Sequence, residues 1–157
     1  MNLIVREETP RQDDIAALLR QSDRLADRLC PGEFRRSLNP ETLDAPHIRL
    51  FVARIDGTAA GCCALFDDAE QATAELKRMI VSESFRQRGV GTALLAAAES
   101  TALARDIQAI QMEVGVRNVD GQALYRRAGY TERGPFGAYI SSPISLFFEK
   151  KLVPSTS

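Results

Sequence analysis

The sequence predicts an α/β fold, and three of its features carry that expectation. Apolar runs at residues 48–55, 59–66 and 72–81 are separated by turn signals, the pattern of three antiparallel strands in a meander. The hydrophobic period then lengthens: Val90, Leu94, Ala97 and Thr101 line one helical face after a charged loop containing Gly89 and Gly91. A strand at 109–116, a short helix at 120–128 and a last strand at 146–152 follow, giving the order β-α-(α)-β-β-β-α-β-α-β-β.

Each element has its own signal. Residues 3–6 alternate weakly as a first strand, and Ile15, Leu18, Leu19 and Leu25 mark an amphipathic helix over 13–28. Pro31, Gly32, Pro40 and Pro46 break the next stretch, leaving short helical turns at 33–38 and 41–43. Asp56-Gly57 between two apolar runs is a hairpin signal, and a second turn at 67–71 leads into the following strand. The helix from about Gly89 ends near Arg105-Asp106, and Gly129 stops the short helix that precedes a Gly- and Pro-containing loop.

With 157 residues, 45% of them hydrophobic, the chain can bury a core without disulfides or metals. One domain over 1–153 is expected, with a frayed polar tail at 154–157. A net charge of −1 from 26% charged residues argues against disorder and against nucleic acid as a partner. The N-terminus lacks the apolar core and cationic flank of a signal peptide, and no apolar run is long enough to cross a membrane, so a soluble cytoplasmic protein is expected.

Cysteine chemistry is disfavoured. Cys30, Cys62 and Cys63 form no metal-ligating pattern, and the adjacent pair on a strand points to opposite faces as small core residues. The single histidine, His47, follows Pro46 in a loop-like stretch, so neither a thiolate partner nor a zinc ligand set is evident, and no metal is expected.

The most informative segment is Arg86-Gln87-Arg88-Gly89-Val90-Gly91, lying between an apolar strand and a helix. A helix start offers unpaired N–H groups and a partial positive charge. Glycines there let a pyrophosphate approach the main chain, and Arg86 and Arg88 can add charge-assisted bonds. The plain alternative is two glycines starting a helix after a charged turn. Other phosphate loops fit poorly: no lysine follows Gly91, as a Walker loop requires, and Leu94 stands where a dinucleotide fingerprint has its third glycine.

These residues resemble the GNAT superfamily of acyl-CoA N-acyltransferases, whose pyrophosphate loop reads Gln/Arg-x-x-Gly-x-Gly/Ala; Arg86, Gly89 and Gly91 fill the three slots. A second pattern, an Asn followed by a helix with Leu-Tyr and then Gly-Phe/Tyr, is matched by Asn118, Leu124-Tyr125 and Gly129-Tyr130. The resemblance is strongest over 59–130. It implies a single-domain GNAT fold, with a mixed, mostly antiparallel sheet of about seven strands whose fourth and fifth splay apart. The sequence departs from the family at Glu83, where proline is common, and at Gly121, where alanine is common.

By the same resemblance, acetyl-CoA is the expected co-substrate and an N-acetyltransferase the expected activity. Its contacts would come from Met79, Ile80 and Val81, from Arg86, Gln87, Arg88, Gly89, Val90, Gly91 and Thr92, and from Asn118 and Tyr125. Glu75, eleven residues before Arg86, has the spacing of a strand glutamate that serves some members as general base; otherwise it is an exposed strand glutamate pairing with Lys77. Backbone N–H groups at 79–81 would meet the acetyl oxygen. Tyr125 stands one position around from the Leu124/Ala128 pair, so its hydroxyl can reach the cleft and serve the leaving thiolate, or it is a core-edge tyrosine. Asn118 can bond the pantetheine amides or end the strand in an Asx turn.

The acceptor is expected to be a small-molecule or peptide amine. Arg24, Arg28, Arg35 and Arg36 can recognise a carboxylate or form a solvated face, while Phe136, Tyr139 and His47 can close over the amine or pack on the sheet edge. The apolar run 146–148 near a sheet edge would admit a homodimer. Two other readings are a CoA-binding sensor or partner subunit without turnover and a nucleotide-binding protein. Retention of Glu75 and Tyr125 argues against the first, and the missing lysine and Mg²⁺ ligands argue against the second.

Overall fold

The computed structural model describes residues 2–29 and 40–153. Alternation in the meander resolves into strands β1 (Leu3–Glu7), β2 (Ile48–Ile55), β3 (Thr58–Asp68) and β4 (Thr73–Val81), each antiparallel to the next. Asp56 and Gly57, both at positive φ, make the two-residue hairpin turn between β2 and β3. Strands β5 (Ala109–Gly115), β6 (Thr131–Arg133) and β7 (Ser145–Lys151) complete a seven-stranded sheet of order β1-β2-β3-β4-β5-β7-β6, antiparallel throughout except at β4–β5.

Helices cover both faces. Helix α1 (Asp13–Leu29) and the short α2 (Pro40–Leu43) bury Ile15, Leu18, Leu19 and Leu43 on one side, against Leu50, Val52, Cys62, Ala64 and Ile80. Helices α3 (Val90–Ala104) and α4 (Val119–Arg127) lie on the opposite side, over a larger core that contains Phe51, Cys63, Leu65, Leu76, Ile110, Met112 and Phe148. Cys62 and Cys63 do point to opposite faces, and burial pushes the Cys62 thiol up to about 12 and that of Cys63 well above its ordinary value. Both are inert core atoms at neutral pH. No described helix is long and apolar enough to cross a membrane.

Three expectations need correction. The buried face of α3 is Val90, Gly91, Leu94, Leu95, Ala98 and Ala102, so Ala97 and Thr101 lie at its margin; small residues all round this helix give its face only a weak signature in the sequence. Strand β7 is second from the sheet edge, paired along its length with β5 and at 147–149 with the three-residue β6, so the edge strand beside this apolar run is β6. Leu25 is half-buried rather than central to the α1 contact. The turns expected at 33–38, together with Cys30, Arg35, Arg36 and the tail 154–157, fall outside the described residues.

Strands β4 and β5 register only at Thr73–Ala109, Ala74–Ile110 and Glu75–Gln111. Beyond Glu75, β4 stays with β3 while β5 stays with β7, so the two part company in mid-sheet and open a wedge. A second irregularity shapes that wedge. Arg78 sits at φ 57 where the β3–β4 register shifts between Cys62 and Ala64, which is a bulge. The bulge inverts the alternation: Leu76 faces the α3 side, whereas Ile80, an even number of residues on, faces α1.

Candidate active site

The wedge ends at a loop and a helix start. A single 3₁₀ turn at Glu83–Phe85 follows Ser82, Gln87 takes φ 62, and Gly89 caps α3 at φ 78 without any side chain bonding the first-turn N–H groups. Those donors, at the positive end of a fifteen-residue helix, are what an anion needs. Arg86, Gln87, Arg88, Gly89 and Thr92 are exposed around it, and the Arg88 guanidinium rests over the Phe85 ring at 5.4 Å.

The two glycines of this loop serve different ends. At Gly89 a Cβ would meet nothing within 4 Å, and the requirement is the left-handed backbone. At Gly91 a Cβ would stand 2.8 Å from Leu124 Cδ2, so this glycine also seats α4 against the first turn of α3. Val90 is likewise buried in the core and offers its backbone only. Gly61 on β3 escaped the sequence reading; its Cβ would lie 2.6 Å from the Ile80 carbonyl oxygen, which makes it the seat of the β4 bulge. An isolated glycine inside a strand was the available signal.

Glu75 is the last β4 residue paired to β5, so its carboxylate stands at the root of the wedge. Tyr139, from the loop between β6 and β7, donates to Glu75 Oε2 at 2.5 Å, and Lys77 Nζ lies 3.9 Å from Oε1. Burial pushes the Glu75 carboxyl above the usual carboxylate range, the Tyr139 hydrogen bond and Lys77 oppose this, and Glu113 adds to it. Phe66, the cross-strand partner of Glu75, carries Lys77 over its ring at 5.2 Å and His47 against its edge at 6.2 Å. The structure thus brings Glu75, Tyr139 and Lys77 together, with His47 one ring further off.

Tyr125 requires a correction of place. It is 6% exposed and belongs to the larger core, with the rings of Tyr130 and Phe148 at 6.1 and 6.5 Å. The helical face of α4 that meets the sheet is centred on Tyr125 itself, while Leu124 turns toward Gly91. Burial pushes its phenol well above its ordinary value, so it is fully protonated at neutral pH. Asn118 caps α4: its Oδ1 accepts from the Gly121 N–H at 3.0 Å. A Cβ on residue 121 would come within 2.5 Å of the Asn118 amide nitrogen, which accounts for glycine there.

The other departure, Glu83, is tied to α1. Its N–H donates to Gln21 Oε1 at 3.3 Å, a bond proline cannot make, and its carboxylate lies 3.7 Å from Arg28. Arg28 is therefore engaged with the loop, and Arg24 is exposed on α1; neither is brought to Glu75. Met79 and Val81 pack at the margin of the larger core and Ile80 is buried in the smaller one, so 79–81 can serve a ligand through the backbone.

A wedge between parallel neighbours, a capless helix start beyond it and a half-buried carboxylate at its root make up the candidate site. The chain belongs to the acetyltransferase (GNAT) family, whose model matches residues 15–130. It is 40% identical over 151 residues to an IAA acetyltransferase of Azospirillum brasilense, covering 96% of this chain and 99% of that one. Among solved structures it is similar to an acyl-CoA N-acyltransferase of Klebsiella pneumoniae, with a TM-score of 0.81, 29% identity and coverage of 96% and 98%. The fold is also that of the PaiA N-acetyltransferase of Thermoplasma acidophilum, solved in complex with coenzyme A, with a TM-score of 0.77, 19% identity and coverage of 96% and 99%. The protein is an acyltransferase of the N-acetyltransferase type.

Proposed function

We propose that the protein transfers acetyl from acetyl-CoA directly to a primary amine of a small molecule or peptide, with Glu75 as general base. The observation that carries this reading is that β4 and β5 separate immediately after Glu75. A thioester lying in the wedge then has the carboxylate at its inner end, unpaired β4 backbone along one wall, and the α3 start at its outer end for the pyrophosphate, with Arg86 and Arg88 beside it. Gln87, Gly89 and Thr92 contribute the loop's shape and the first-turn donors.

The reaction divides into three demands. A proton leaves the acceptor ammonium for Glu75, directly or through one water, and the raised carboxyl pKa makes it a better base than a solvated glutamate. The amine lone pair attacks the thioester carbonyl carbon, and a main-chain N–H of 79–81 meets the developing oxyanion. The carbon–sulfur bond breaks, the Tyr125 hydroxyl, held protonated by burial, donates to the departing thiolate, and the proton still carried by the acylated nitrogen passes through water to restore that hydroxyl. Asn118 keeps its amide nitrogen for a pantetheine carbonyl while its oxygen caps α4.

Calorimetric titration with acetyl-CoA, CoA and ATP in parallel tests the first claim. The two CoA species should bind and ATP should not; a folded protein that binds neither CoA species sinks the proposal. A panel of primary amines, followed by release of the CoA thiol, then identifies the best acceptor. With that acceptor, Glu75→Gln and Tyr125→Phe should each lower kcat by about 10²-fold or more, in line with loss of one proton-transfer group.

A further inference from the structure

We propose that Tyr139 is a positioning residue for Glu75, holding one carboxylate oxygen so that the other faces the acceptor amine. The inference rests on the reading of Glu75 as base. Sixty-four residues separate the two in the chain, yet the Tyr139 hydroxyl donates to Glu75 Oε2 at 2.5 Å. What makes the contact more than an incidental bond is the way the donor is fixed. The Tyr139 ring lies against Phe136 at 5.1 Å and Phe147 at 5.4 Å, and Phe136 meets Phe147 edge-on at 5.8 Å. Phe147 is anchored in interior strand β7, and Arg133, bonded to Glu149, stands over Phe136 at 5.8 Å.

A free glutamate side chain samples several rotamers, and a general base must be held within hydrogen-bond reach of its proton. The three-ring cluster supplies a rigid donor to Oε2; among the described residues Oε1 has only Lys77 near it, at 3.9 Å, beyond hydrogen-bond distance. Among the described residues, the groups facing the carboxylate are Lys77 from β4 itself, Glu113 from β5 and Tyr139 from the 134–144 loop, with uncharged Phe66 and Gln111 as its strand neighbours. Of these, Lys77 and Tyr139 favour the ionised form and Glu113 opposes it. Tyr139 therefore orients the base and keeps it available for a proton, and the loop that carries it links the acceptor side of the site to the chemistry. Neighbouring Ile140, 81% exposed, marks how close this loop runs to solvent.

The test uses the full chain and Tyr139→Phe, which keeps the ring and removes only the hydroxyl. The Glu75 carboxyl is titrated by ¹³C NMR, without any acceptor, in wild type and variant. The acid limb of kcat against pH is then measured with the best acceptor of the amine panel. The expected result is that Glu75 titrates at higher pH in the variant, that the acid limb moves in the same direction, and that the plateau kcat falls about tenfold as positioning is lost. KM for acetyl-CoA should stay within about twofold, because the hydroxyl does not touch the proposed pyrophosphate loop. A Glu75 titration and an acid limb that both stay in place overturn the proposal, whatever the plateau does. If the titration moves but Glu75→Gln keeps wild-type kcat, the base reading is wrong and the positioning role falls with it; if Glu75→Gln is inactive and the limb does not move, the base stands and Tyr139 does not position it.

Discussion

Replacing Gly61 by alanine puts a methyl group where the structure has a carbonyl. The new Cβ would stand 2.6 Å from Ile80 O and 2.9 Å from Val90 Cγ1, both inside the 3.0 Å that real Cβ contacts essentially never breach. Val90 can give way by rotation, but the Ile80 oxygen belongs to the strand that bulges at Arg78, so the main chain itself has to move. Overpacking of this kind costs about 1–3 kcal/mol, and the narrower unfolded ensemble of alanine returns about 0.4–1 kcal/mol. The net loss is about 1–2 kcal/mol, or roughly 2–8 °C in Tm for a chain of this size. Urea unfolding measures the first quantity and calorimetry with acetyl-CoA the second consequence, a weaker affinity as residues 79–81 shift. The double variant Gly61→Ala/Val90→Ala should not restore either. A Gly61→Ala protein as stable as wild type, with unaltered acetyl-CoA affinity, would refute the claim that this glycine seats the bulge.

Charge reversal at Arg86 or Arg88 should weaken acetyl-CoA binding by about tenfold each, the low end for a charge-assisted bond at an exposed site, and the effect should shrink with added salt in calorimetric titrations. Glu75→Gln should gain stability relative to wild type as pH rises. Burial raises the folded-state carboxyl above its ordinary value, so the native form holds the proton more tightly than the unfolded chain, and that stability is lost as pH climbs through the folded pKa. Thermal melts of the pair should nearly coincide at about pH 4 and separate in favour of the variant by about pH 7. Lys150→Met should cost about 1–2 kcal/mol in urea unfolding, since Lys150 Nζ donates at 2.8 Å to both Glu99 and the Ala128 carbonyl, tying β7 to α3 and to the end of α4.

The parts of this architecture that could be read from the sequence are those whose causes are local. Asp56-Gly57 announced its hairpin because both residues tolerate positive φ, and Gly89 announced the start of α3 because a left-handed residue before an apolar helix favours glycine. Strand β6 is counted in the expected order but has no residues assigned to it, because three residues, Thr131–Arg133, show no period at all. The interior position of β7 depends on which strand β5 chooses as neighbour, a non-local matter. The bulge at Arg78 left only an indirect sign, Gly61 on the facing strand, since nothing in an arginine side chain advertises a left-handed backbone. In the site, Glu75 is a candidate by family resemblance, but its bond to Tyr139 spans 64 residues and closes only when β5 and β7 pair. Tyr125 was misplaced for a related reason: helical position tells which residues share a face and leaves open which face meets the sheet.

The three-residue ladder between β4 and β5 divides the sheet into two panels. Strands β1 to β4 form one panel and β5, β7 and β6 another, stitched along the sheet at Thr73–Glu75 and Ala109–Gln111. A CoA thioester bound in the notch, as proposed, would bridge both panels and act as a removable rivet. By mass action a ligand present at 100 times its Kd stabilises the assembled form by about 2.7 kcal/mol. The backbone amides that this rivet should quiet most in hydrogen exchange are those of 76–81 and 112–115, the two margins that the sheet leaves unlaced to each other.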